Sequence, residues 1–293
     1  MVIASRKRLM AYVRAMAARE RILMLDSGLG GLTVFREVAA ARPHADYVYV
    51  ADDAGFPYGG LAEKVLVERV VALMGAMIEA HRPDLIVIPC NTASTIVLPD
   101  LRKMFAVPFV GTVPAIKPAC AASVTRRVSV FGTEATVARE YTRALIRDYA
   151  GDCQVTLVGS KHLAAHAEAE LAGAPVSDAA IVAELAPCFV DDGRRTDTVV
   201  LACTHYPLLL DRLRALAPWP VNFVDPAPAI ARRVTDLLGP PPTAAAGGTA
   251  RAIFTPGRTP PAALGRFGIH SGEPTSGAAG GTAEKFDTAR LSP

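Results

Sequence analysis

A chain of 293 residues that is 51% hydrophobic and 20% charged has enough material for two units with a core each, and its composition is not that of a disordered protein. A net charge of +3, with Arg6-Lys7-Arg8 as the longest basic run, is too weak to argue for nucleic acid. No uncharged apolar run approaches the ~20 residues a membrane helix needs, and five cysteines without a secretory segment point to a reducing, cytoplasmic interior.

Residues 1–20 carry Arg6, Lys7, Arg8, Arg14 and Arg19 with Glu20 as the only acid. They read as a basic N-terminal extension, either solvated or produced by a start codon placed ahead of Met10 or Met16. A strand, Ile22–Leu25, leads into the turn Asp26-Ser27-Gly28-Leu29-Gly30-Gly31 and a helix from Leu32 to Ala40. Glycine-rich turns in this setting often cradle an anion. Here the turn opens on an acid that would repel a phosphate, so the glycines read as a tight turn needing positive φ. The strand Tyr47–Ala51 ends in Asp52-Asp53 and the loop Gly55-Phe56-Pro57-Tyr58-Gly59-Gly60, whose proline and glycines bring backbone close to a cleft. A helix over about Ala62–Ala80 presents Leu66, Val70, Leu73 and Met77 on one face.

The run Leu85-Ile86-Val87-Ile88-Pro89-Cys90-Asn91-Thr92 reads as a buried parallel strand delivering Cys90 to its C-terminal edge, where open α/β sheets bind ligands. After a short strand over Phe105–Val110, the stretch Gly111–Pro114 crosses into a second unit. Strand Val128–Phe131 breaks at Gly132-Thr133-Glu134-Ala135-Thr136, an echo of the Asp26 turn. Helix Ala138–Tyr149, strand Val155–Val158 and helices Ala164–Leu171 and Ile181–Val190 follow. They lead to a second copy of the cysteine strand: Asp197-Thr198-Val199-Val200-Leu201-Ala202-Cys203-Thr204-His205 aligns without a gap on Asp84–Thr92. Strand Val221–Val224 and helix Ala229–Leu238 carry the chain back to the first unit, and a short Ile253-Phe254 strand and a turn over Ala262–Phe267 end the patterned region. The expected fold is α/β, two similar parallel-sheet domains related by pseudo-twofold duplication, with the active site in the cleft between them. Residues 21–112 plus about 220–268 would form the first domain, 113–219 the second, and 269–293 a disordered tail.

Two thiols facing one small molecule from opposite sides can invert a stereocentre. One, as thiolate, removes a proton from carbon while the other donates a proton to the opposite face, and the roles exchange in reverse. His205 and Asp26 are placed to assist Cys203 and Cys90 as each changes protonation state. Backbone N–H groups at the helix N-termini near Asn91, Thr92, Thr204 and His205 would hold a carboxylate. Ser27, Thr133 and the Tyr58-Gly59 backbone add polar contacts. Cys120, Cys153 and Cys188 read as small hydrophobes, and His44, His81, His162, His166 and His270 as surface or helix residues. A zinc site would want thiolates at short spacing and a thioredoxin-type site Cys-x-x-Cys; this chain has neither pattern. A papain-like nucleophile would leave the second cysteine unexplained.

Taken in order, Asp26–Gly31, Phe56–Gly59, Pro89–Ala93, Gly132-Thr133 with Thr136, and Ala202–Leu208 resemble the glutamate racemase family of the aspartate/glutamate racemase superfamily, over roughly residues 21–240. The resemblance implies an isomerase that moves one proton between the faces of L- and D-glutamate with no cofactor and no metal, and that supplies D-glutamate for peptidoglycan and hence cell shape. Its partner would be the small-molecule substrate, with no nucleic acid and no membrane; oligomeric state is left open, a homodimer included. Cys90 and Cys203 would be the acid/base thiols and Asp26 and His205 their assistants. Ser27, Tyr58, Gly59, Asn91, Thr92 and Thr204 would contact the amino acid. Glu168 falls near a position where the family often has a further acid and is not counted among the site residues. The N-terminal extension, the stretch Thr112–Pro118 and the proline- and glycine-rich tail depart from the family's common pattern. Rival readings are a two-cysteine racemase for aspartate or a hydantoin, and a non-catalytic binder that keeps the cleft. Two intact thiols disfavour the binder.

Overall fold

The computed structural model describes residues 19–240, 247–255 and 262–271. In chain order its strands are β1 (Arg21–Asp26), β2 (Asp46–Ala51), β3 (Leu85–Ile88), β4 (Phe109–Gly111), β5 (Arg127–Thr133), β6 (Gln154–Ser160), β7 (Thr198–Ala202), β8 (Asn222–Val224), β9 (Ala250–Phe254) and β10 (His270–Ser271). They form a six-stranded sheet, β10-β9-β2-β1-β3-β4, and a four-stranded sheet, β6-β5-β7-β8. Every strand pairing in both is parallel. Parallel sheets are covered on both faces, which is why β3 and β7 are apolar without alternation and buried at every residue.

Successive residues of β1 feed opposite cores, as the period of two requires. Ile22 and Met24 meet Phe35, Ile230 and Val234 of the helices Leu32–Ala41 and Ala227–Leu238. Leu23 and Leu25 meet Leu66, Val70 and Leu101 of the helices Glu63–His81 and Leu98–Met104. The second sheet is clad in the same way. Helices Leu163–Leu171 and Asp178–Leu185 pack on one face, and Ile116–Ala122 and Glu140–Tyr149 on the other. The duplicated motif is anchored alike in its two copies. Asp84 accepts from the Arg21 N–H (2.8 Å), and Asp197 accepts from the Val124 (2.7 Å) and Thr125 (2.8 Å) N–H groups. Each acid ties the base of its strand and leaves the cysteine at the far end.

Several expectations shift. The segment from Phe105 is not strand: Pro99 in the first turn starts the helix Leu98–Met104, and only Phe109–Gly111 pairs. The helix Glu63–His81 buries Leu66, Val70 and Met74 rather than Leu73 and Met77, which are only partly covered. Strand β8 lies beside β7, in register Thr198↔Asn222, where Phe223 joins the core of the second sheet. The chain therefore returns to the first sheet with helix Ala227–Leu238, later than about residue 220. Strand β9 is longer than the Ile253-Phe254 expected and follows β2 residue for residue from Tyr47↔Ala250 to Ala51↔Phe254. Glu20 belongs to the fold rather than to an extension: its carboxylate accepts from Arg42 Nη2 (2.6 Å) and Nε (3.1 Å) and stands 3.2 Å from His44 Nε2. His44 is accordingly buried, not on the surface. The tail expected from residue 269 starts too early, because His270–Ser271 pair with Arg251 and Ala252 of β9; the expectations for residues 1–18 and 272–293 lie outside the described residues. Among the described residues no helix is long and apolar enough to cross a membrane.

Candidate active site

The C-terminal ends of β1, β3, β5 and β7 converge on a cavity of about 30 Å³ between the sheets. Ser27, Tyr58, Gly59, Cys90, Asn91 and Thr92 line it from the first unit, and Thr133, Thr136, Ala164, Cys203, Thr204 and His205 from the second. Every residue expected in the site lines the cavity except Asp26, which is fully buried behind the wall.

Cys90 follows β3 and caps the short helix Asn91–Ile96. Its thiol is 7% exposed, and burial together with the Asp26 charge pushes it well above the usual thiol range. Asp26 Oδ2 accepts from the Gly31 N–H at 2.8 Å and from the Tyr49 hydroxyl at 3.5 Å. Asp26 Oδ1 has no hydrogen-bond partner in the protein. Burial raises the Asp26 carboxyl, and the facing His205 only partly offsets this. On this side a proton is held tightly.

The other side is built differently. Cys203 follows β7 and is likewise 7% exposed, with Sγ 3.8 Å from His205 Nδ1. His205 Nε2 lies 2.8 Å from Glu168 Oε1, and the Leu29 N–H donates to the same oxygen at 2.7 Å. Burial opposes a charged imidazole, but Cys203 and Glu168 outweigh it, so His205 titrates well above its ordinary value. A doubly protonated ring then donates from Nε2 to Glu168 and from Nδ1 to Cys203. The Gly30 N–H, 3.2 Å from Nε2, is left as a weak neighbour, since an imidazolium nitrogen accepts nothing.

The glycines of the Asp26 turn serve this junction. Gly28, Gly30 and Gly31 are not among the positive-φ residues, contrary to the turn reading. A Cβ on Gly28 would collide with Glu168 Oε1, and one on Gly30 with the His205 ring. Gly28 and Gly30 are small because the second unit presses against them, and Gly31 because Pro89 and Tyr49 of its own unit do. The Thr33 hydroxyl adds a bond across the same seam, to the Thr204 carbonyl at 3.2 Å.

Glu168 is the site residue that sequence reasoning passed over. It is 4% exposed and four residues beyond Ala164, which lines the cavity on the same helix face. The same helix also carries His166 and Glu170, so its local pattern does not single out Glu168. The Asn91 side chain is buried, and both its Nδ2 and Oδ1 lack a protein partner, although buried amides are otherwise almost always paired. Thr133 Oγ1 accepts from the Thr136 N–H (3.2 Å) and sits 2.9 Å from Thr136 Oγ1. The chain after Cys203 enters a 3-10 turn, Tyr206–Leu209, rather than an α-helix, so the expected helix N-terminus is confined to the Cys90 side. Cys120, Cys153 and Cys188 lie away from the cavity, Cys153 bonding the Cys120 carbonyl. Among the described residues no cluster of three or more His, Cys, Asp or Glu is arranged to hold a metal ion.

A family model described as Asp/Glu/Hydantoin racemase matches residues 32–234. The glutamate racemase of Brucella anthropi is 56% identical over 225 residues, covering 76% of this chain and 81% of that protein. The glutamate racemase of Brucella abortus strain S19 is 54% identical over 224 residues, with 76% and 81% covered. Among solved structures, the Escherichia coli glutamate racemase, in complex with L-glutamate and the activator UDP-MurNAc-Ala, is 40% identical with a TM-score of 0.78 over 87% of this chain and 97% of that one. The Thermus thermophilus glutamate racemase, in complex with β-chloro-D-alanine, is 28% identical with a TM-score of 0.64 over 81% and 88%.

Proposed function

The chain belongs to the Asp/Glu/hydantoin racemase family, and from that premise we propose that it interconverts L- and D-glutamate with Cys90 and Cys203 as paired base and acid, one thiol taking the α-proton while the other donates its own. The observation that carries this reading is that both thiols line one cavity, each beside a different ionisable group. A thiolate on one side takes the α-proton, and the electron pair left on carbon is delocalised into the adjacent carboxyl group. The thiol on the other side donates its proton to the opposite face, and the stereocentre inverts. Asp26 receives or returns the proton of Cys90, and the His205–Glu168 pair that of Cys203. Asn91, with its unpaired amide, and Ser27, Thr92, Thr133, Thr204 and the Tyr58-Gly59 backbone hold the carboxylates and the ammonium group.

No cofactor takes part in this scheme. The D-glutamate formed supplies peptidoglycan synthesis, and the enzyme works in the cytoplasm, a setting that suits its five free cysteines. The bound L-glutamate of the Escherichia coli relative supports glutamate as the substrate.

The test is incubation with L-glutamate, and separately with L-aspartate, in D2O with no pyridoxal phosphate or metal added, followed by proton NMR and circular dichroism. Two bases predict early product carrying deuterium at Cα while residual substrate keeps protium. Deuterium appearing equally in both enantiomers from the start would point to a single base. Turnover of aspartate in preference to glutamate would overturn the substrate assignment.

A further inference from the structure

Asp52 is the first residue past β2, with no exposed surface, and no role above employs it. Its backbone N–H donates to the Asp26 carbonyl at 2.8 Å, which sets it level with the strand ends that build the site. Its carboxylate is saturated. Oδ2 accepts from the Tyr58 hydroxyl (2.8 Å) and Arg69 Nε (2.6 Å), and Oδ1 from Arg69 Nη2 (2.5 Å) and Thr255 Oγ1 (2.9 Å). Arg69 reaches in from the helix Glu63–His81 and Thr255 from the residue after β9. A bidentate arginine on a buried carboxylate is among the strongest and most directional contacts a side chain makes. The loop above is shaped to this pair: a Cβ on Gly55 would come within 2.6 Å of Arg69 Nε and 2.8 Å of Asp52 Oδ2.

Tyr58 is 2% exposed and lines the cavity, but its hydroxyl is committed to Asp52. It therefore presents ring and backbone to the substrate. Beside it, Gly59 lies against the second unit, where an added Cβ would be 3.4 Å from Ala135 Cβ and 3.9 Å from Thr133 Oγ1. A displacement of Tyr58 moves a stretch of wall that touches both halves of the site.

We propose that Asp52 is a positioning residue for the racemisation: anchored by Arg69 and Thr255, it holds Tyr58 and thereby sets where the Tyr58-Gly59 backbone meets the substrate. The proposal rests on the function assigned above. A misplacement of about 1 Å in a positioning element costs up to about 10²-fold in rate. An anchor that serves ground state and transition state alike raises KM and leaves kcat nearly unchanged.

The experiment measures kcat and KM in both directions, with thermal unfolding, for wild type, Tyr58→Phe, Asp52→Asn and the double variant. Tyr58→Phe should fold normally and raise KM about 10-fold with kcat within about two-fold, the size of one lost hydrogen bond. Asp52→Asn should raise KM further, and the double variant should be no worse than Asp52→Asn, because the hydroxyl acts only through the carboxylate. Should Asp52→Asn not fold, Tyr58→Phe alone decides. An unchanged KM in Tyr58→Phe, whatever its melting temperature, overturns the proposal, as do additive effects in the double variant. A wild type inactive on glutamate overturns the function itself, whereas an active wild type with unchanged variants overturns only the role of Asp52.

Discussion

Glu168 Oε1 stands 2.8 Å from His205 Nε2 with both side chains at most 5% exposed, and the same carboxylate oxygen accepts the Leu29 N–H of the other unit. One oxygen thus contacts both the imidazole beside Cys203 and the backbone of the other unit. Glu168→Gln keeps the shape and removes the charge. Racemisation should fall by about 10²-fold, within the range general acid–base groups supply, and the His205 titration followed by NMR should move down towards its ordinary value. Wild-type turnover in Glu168→Gln would reduce the pair to a structural contact.

The same pair makes stability depend on pH. His205 is raised in the folded state, so its contribution is fully present below its unfolded value of about 6.5 and is lost as pH rises through the folded value. Asp26, also raised, acts with the same sign from lower pH, because the folded state holds its proton more tightly. Urea unfolding of wild type and His205→Asn at a series of pH values isolates the histidine term. The stability advantage of wild type should be largest near pH 6 and shrink above it. An advantage that grew with pH would mean His205 is neutral in the folded protein.

Two bases leave a distinct signature when one is removed. Cys90→Ser and Cys203→Ser should each lower racemisation by at least about 10³-fold, since a serine hydroxyl is a far poorer base. Each variant retains one thiol, so each should still exchange the α-proton of one enantiomer with D2O, and the two should choose opposite enantiomers. Exchange of the same enantiomer by both variants would contradict thiols on opposite faces.

Gly30→Ala tests the reason for glycine at the seam. Its methyl would overlap the His205 ring, and overpacking of this kind costs about 1–3 kcal/mol. The urea midpoint should fall and kcat should fall with it, because the ring that moves is the assistant of Cys203. Alanine at Gly60, where an added Cβ meets nothing within 4 Å, is the control and should be silent.

Much of this architecture is local information. The unbroken apolar runs of β3 and β7, each followed by a cysteine, are set by the needs of a strand buried on both faces. The gap-free repeat puts Cys90 and Cys203 at equivalent strand ends. The Phe56–Gly59 loop was legible for the same reason, since turn chemistry is written within a few residues, whereas the Asp26-turn glycines answer to packing from distant residues and not to positive φ.

What the tertiary structure alone decided are contacts whose partners share no local pattern. Glu168 and His205 are 37 positions apart and Glu168 and Leu29 are 139 apart. Asp52 meets Thr255 from 203 positions away. Whether an acid in a helix is solvated or buried against an imidazole depends on how two sheets approach, and helical periodicity contains no term for that approach. The amino-acid sequence therefore specified which chemistry stands at the strand ends. Only the packing of the two units set His205 against Glu168, and Glu168 against the Leu29 N–H.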